Sequence, residues 1–222
     1  MSTQAQYTTN ARVGKVSFNT ANTGRDGTGA LAVAFTATPT KRAVSRIDRV
    51  VLEASGVTTA GMLRLFITKG TPGEVISSIT FATTTATVTT SQAHGRKTGD
   101  KVTVQNVLPD EYNVVDVAIT VVSPTTFTYT MGSTPQNNAL TSDLGGYSTT
   151  PATPDSQLWR EVDVTAVPTP SATQKVFANS MASTQGQDTA YLPMLLPAGW
   201  SLRVATHNAE GFNAIVNGGD TA

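Results

Sequence analysis

In the run TTFTYTM, Thr125–Met131, the large apolar residues Phe127, Tyr129 and Met131 alternate with threonine. Only an extended chain puts two such sets on opposite faces; on a helix they would be spread around the axis. The same period recurs elsewhere. Ala30–Thr38 sets Leu31, Val33 and Phe35 against small residues, and Met62–Lys69 sets Leu63, Leu65 and Ile67 against Met62, Arg64 and Phe66. Trp200–Thr206 puts Trp200, Leu202 and Val204 on one face. The one helix candidate is a turn or so near Gln174–Ser183, overlapping a strand candidate at Gln174–Ala178. An all-β chain is therefore expected. Charged residues are only 14% of its 222 residues, against about 25% in an ordinary domain. Threonine and serine cover the polar faces instead, and β-branched threonine suits exposed strands.

Further strands are expected at Arg12–Phe18, Ser45–Ala54, Glu74–Phe81, Ala86–Thr90, Lys101–Val107, Val114–Val122, Leu158–Thr165, Tyr191–Leu196 and Phe212–Asn217. Ser55–Gly61 (SGVTTAG) reads as a hairpin connection, and residues 132–157 as weakly structured. Asn19–Gly29 contains GRDGTG but lacks the Lys-Ser/Thr ending and the following helix of a phosphate loop, so it reads as a structural turn. About five strands precede Ala82 and about four follow Gln157. Neither set makes a stable sandwich alone; together they have the size of a jelly roll or related sandwich. The expected organisation is a flexible arm at 1–11, a discontinuous jelly-roll-like β-sandwich at 12–82 plus 151–222, and a small inserted β-barrel or β-sandwich module at 83–150. Such an insertion is tolerable because closure entropy grows only as the logarithm of loop length.

Lys plus Arg and Asp plus Glu number 15 each, so the formal net charge is zero. A nucleic-acid binder needs a cationic surplus to displace counterions from phosphates, and nucleic acid is not an expected partner. Lys41, Arg42, Arg46 and Arg49 form the only basic concentration. There is no cysteine, which excludes disulfides and thiolate metal sites. No apolar run reaches the ~18 residues of a membrane helix, and the start MSTQAQYTTNAR has no apolar core of a signal peptide. Synthesis in a cytoplasm without a membrane partner is expected.

Chemistry has few carriers. His94 precedes Gly95 in a predicted turn, where its ring would bond nearby backbone, and His207 ends a strand. A triad needs Ser, His and a carboxylate converging in space, and no spacing here points to one. Asp110, Glu111 and Asp116 read as a solvated turn rather than a calcium loop. Glu161 and Asp163 share one strand face, which an exposed sandwich strand explains without a glycosidase pair. Trp159, Trp200, Phe35, Phe66, Phe81, Phe177, Tyr191 and Phe212 are expected in a core or interface, as are Tyr112, Phe127 and Tyr129 in the inserted module. No catalytic, cofactor-binding or metal-binding residue is assigned.

Ala93-His94-Gly95, Thr98-Gly99-Asp100 with the strand Lys101–Val104, Tyr112-Asn113 and Thr125–Thr130 together resemble a small β module of tailed-phage structural proteins. Val114 departs from that pattern, in which glycine usually follows Tyr-Asn. The run Leu196–Val204 (LPAGWSLRV), with Thr206-His207-Asn208, is similar to the closing strands of small all-β particle proteins. The resemblance implies a non-enzymatic virion protein, made in the host cytoplasm and carried on the particle surface. Within that class it implies a head decoration or cement protein that binds the major capsid protein as a homo-oligomer, a trimer being favoured, with no cofactor. The expected contact residues are Gln4, Gln6, Tyr7 and Asn10 of the arm, and Arg42, Arg46 and Arg49 against an acidic capsid surface. The alternative is a tail-fibre or baseplate module that binds a receptor or glycan through exposed loop aromatics. A hydrolase would instead show a buried carboxylate pair or a Ser–His contact.

Overall fold

The computed structural model describes residues 8–39, 44–139, 141–167, 176–179 and 193–221, with main chain alone at 8, 9 and 176–179. The strands in chain order are β1 (Thr8–Phe18), β2 (Ala32–Thr36), β3 (Val44–Ala54), β4 (Gly61–Thr68), β5 (Thr71–Pro72), β6 (Ile76–Ala82), β7 (Thr85–Thr90) and β8 (Lys101–Val107). They continue as β9 (Val114–Ser123), β10 (Thr126–Thr130), β11 (Leu144–Thr150), β12 (Ser156–Val164), β13 (Val176–Asn179), β14 (Met194–Pro197), β15 (Ser201–Thr206) and β16 (Phe212–Thr221). A 3-10 turn at Asp110–Tyr112 is the only helical element among the described residues. The chain is all-β, and it divides into two compact units: 1–37 with 43–68 and 155–222, and 38–42 with 69–154.

Pairing in the first unit is nested. β1 pairs with β16, β2 with β15, β3 with both β13 and β14, and β4 with β12, all antiparallel. This is one long hairpin folded over on itself, with the second unit inserted in the chain between β4 and β12. Crosswise pairing gives a five-stranded sheet, β1-β16-β3 with β13 and β14 beyond β3, and a four-stranded sheet, β12-β4-β15-β2. Both sheets feed one core: Ile47, Val50 and Leu52 from β3 and Ala214 and Val216 from β16 share it with Leu63, Leu65, Phe35, Leu202 and Val204. Each of these side chains except the small Ala214 contributes roughly 1.5–3 kcal/mol on burial. Gly14 is needed where β1 meets β2, since a Cβ there would lie 2.0 Å from the Ala34 carbonyl oxygen.

β3 carries one extra residue. Ile47 pairs with Gly218 and Arg49 with Asn217, so Asp48 bulges out. Ile47 and Val50, three apart, are consequently both buried in the core, which a regular strand would not allow.

The second unit is a single antiparallel sheet ordered β5-β11-β8-β9-β10-β7-β6. It curls until Ile76 and Ile79 of β6 share a core with Tyr147 of β11, around Phe127, Tyr129 and Tyr112. The motif residues are the struts of its turns. His94 Nδ1 accepts from the Arg96 N–H at 3.0 Å, so Nε2 donates to the Ser123 carbonyl at 3.0 Å. Thr98 Oγ1 accepts from the Val121 N–H, and Asp100 from the Lys97 N–H. The Asn113 amide spans both main-chain groups of Val107.

Several expectations need correction. β1 begins at Thr8, so residues 8–11 belong to a strand rather than to an arm. Ser55–Gly61 is not a hairpin turn, because β3 and β4 lie in different sheets. Glu74–Phe81 was expected in the sandwich, but β6 pairs with β7 and buries Ile76 and Ile79 in the second core, so that unit runs from 69 to 154. Residues 132–157 contain β11, whose Tyr147 is buried. The helix candidate at 174–183 overlaps β13; its other residues lie outside the described ones.

Candidate functional site

The outward face of the five-stranded sheet is built in cross-strand rows. Val16 and Phe18, Ala214 and Val216, and Ile47, Val50 and Leu52 point into the core. The alternate positions therefore point out, and the register sets them side by side. One row is Ala11, Gly219, Arg46 and Leu195; the next is Val13, Asn217 and Arg49; then come Lys15, Ile215 and Val51, and Ser17, Asn213 and Glu53. Val13 is 69% exposed and Leu195 52%. Exposed apolar side chains beside arginines make the composition of a contact surface.

Two of the predicted basic residues, Arg46 and Arg49, meet here for a reason the sequence pattern hides. Positions three apart in a regular strand face opposite ways. The bulge at Asp48 corrects the parity, so Arg46 and Arg49 share the outer face. Arg46 is held by Asp48, Nε to Oδ1 at 2.5 Å, and Arg49 is exposed. Asn10 pairs with Asp220 and has the parity of Arg12, so it turns to the other side of the sheet. Gln4, Gln6, Tyr7 and Arg42 lie outside the described residues. Sequence reasoning missed Val13, Lys15 and Leu195. One signal was present: Val13 and Val16 are three apart, and a regular strand can bury only one of them.

The other polar groups have structural partners. Arg64, 4% exposed, binds Glu161 at 2.8 Å and the Asn22 carbonyl at 3.0 Å, and lies 3.5 Å from His207 Nδ1. Arg25 grips the same Glu161 at 2.8 Å. Hydrogen bonds from Arg25, then from Arg64, hold the Glu161 carboxyl below its ordinary value. A glycosidase acid would need the opposite shift. The network pins the loop of residues 19–31 onto β4 and β12, and Asn22 braces that loop by donating to the carbonyls of Thr28 and Ala30. Asp116 pairs with Lys101 at 3.2 Å. Among the described residues no group of three His, Cys, Asp or Glu could hold a metal ion. Phe35, Phe66, Phe127, Tyr112, Tyr129 and Phe212 are buried, Trp159 and Trp200 pack on the first core and Phe81 on the second. The side chains of Phe177 and Tyr191 lie outside the described residues.

No protein-family model, curated protein or solved structure matches the chain.

Proposed function

We propose that the chain is a non-enzymatic structural component of a tailed-phage particle, specifically a capsid decoration or cement protein on the particle surface. The carrying observation is the outward sheet face, on which the β3 bulge unites Arg46 and Arg49 beside exposed Val13 and Leu195. Such a face fits an acidic capsid surface with apolar patches. Its worth lies in repetition: many copies on a symmetric lattice stabilise a shell that one weak contact could not. We further read the first unit as a jelly roll. Its nested pairs, alternating between two sheets, support this, since a hairpin rolled into two Greek keys has that order. The residue-level resemblance to phage particle proteins supports the same class.

The test is a pelleting assay with particles depleted of this protein. The double variant Arg46→Glu, Arg49→Glu should bind at least about tenfold more weakly than the unmodified chain, because like charges would then oppose each other. Equal binding would remove this face from the account.

A further inference from the structure

A second outward face differs in kind. In the second unit, Phe127 and Tyr129 of β10 and Ala86 and Val88 of β7 point into the core, so the alternate residues point out. Register sets Thr120, Thr128, Thr87 and Thr80 in one row across β9, β10, β7 and β6, with Thr126 and Thr89 paired in the next. β6, β7 and β10 contain no charged residue, and the only one in β9 is Asp116, which is paired with Lys101. Val122, 63% exposed, stands at a register shift beside this array.

We propose that this hydroxyl face binds the same face of a second copy of the chain. Two-fold association sets a surface against its own image. A face that carries one sign of charge is then repelled by its own image. A hydroxyl both donates and accepts, so a hydroxyl of one copy can bond whichever hydroxyl faces it on the other. Its threonine methyls and Val122 supply apolar area, and no charge is desolvated. The Arg46 and Arg49 face lacks this self-complementarity and is suited to a foreign partner. One two-fold contact gives a dimer; the trimer expected from the sequence would need a separate head-to-tail contact.

Sedimentation velocity on the full chain tests the proposal. The unmodified protein should sediment as a dimer of the 23.1 kDa chain. It should do so from about 0.1 to about 1 M salt, a range that screens exposed charge pairs. Thr87→Lys with Thr128→Lys should weaken association by about a hundredfold or more. Thr80→Lys, at an exposed position, should weaken it too, which guards against misfolding of the double variant. Arg46→Glu with Arg49→Glu should leave the dimer intact, so failure of the docking reading and failure of this one are separable. A monomer at all concentrations, an odd-numbered assembly, or a dimer that both lysine variants leave intact would overturn the proposal.

Discussion

The central buried polar networks of the two units differ in kind. The first uses charge. Arg64 joins Glu161 to the 19–31 loop, and Arg12 pairs with Asp220 at 3.1 Å while lying over the Phe35 ring. The second uses neutral groups bonded to main chain. Tyr129 Oη donates to the Tyr112 carbonyl at 2.7 Å, Tyr112 Oη to the Asn137 carbonyl at 3.1 Å, and Tyr147 Oη accepts from the Glu74 N–H at 3.3 Å. A charged network reports the loss of a partner or of a proton. A neutral, ring-filled core reports the loss of volume.

The largest effect should come from Phe127→Ala. The ring is fully buried, 5.5 Å from the His94 ring and 5.1 Å from that of Tyr147. Its removal should cost about 3–5 kcal/mol. Hydrogen exchange should show lost protection in β7 to β11 and unchanged protection in β15 and β16; equal loss in both would mean the units do not fold as separate bodies. Arg64→Ala comes next, at about 2 kcal/mol, below the roughly 3–5 kcal/mol of a fully broken buried pair because Glu161 keeps Arg25. The amides of Gly24 and Thr28 should exchange faster in this variant, and retained protection there would show that Arg64 does not anchor the loop.

Titration should separate the units in opposite directions. Glu161 is depressed below 4.5 by Arg25 and Arg64. Its contribution is therefore present above its unfolded value and is lost as pH falls through the folded one. Tyr129, Tyr147 and Tyr112 are raised above 10.0, each chiefly by burial. Their contribution is complete below 10.0 and is lost as pH rises through the folded values. Acid below about 4.5 should thus loosen the first unit first, and alkali above about 10 the second. Near-ultraviolet difference spectra and residue-resolved exchange read both limbs; the reverse order would contradict the contrast. The smallest effect on stability is expected from Val13→Ser and Leu195→Ser, within about 0.5 kcal/mol each in chemical denaturation, because both side chains are exposed. A loss above about 1 kcal/mol would show that they support the fold rather than present a contact surface.

The period of two revealed nearly every strand, because alternation is local. What it could not reveal is non-local. Ile76–Ala82 reads as a strand either way; only its pairing with β7 assigns it to the second unit. β11 (LGGYSTT) hides its strand behind two glycines and has Leu144 and Tyr147 as its only large apolar residues. Arg46 and Arg49 stand out as charges, yet their common face depends on the bulge, which is set by partners about 170 residues away in β16. Leu195 joins them through β14, another distant pairing.

The most direct measurement of the central claim is the number of copies per purified particle, by quantitative mass spectrometry against the major capsid protein. A decoration protein should be present in hundreds of copies at a simple ratio to the capsid subunit. A few copies to a few tens would contradict that account and move the chain to a tail or fibre, where receptor and glycan binding become the properties to test.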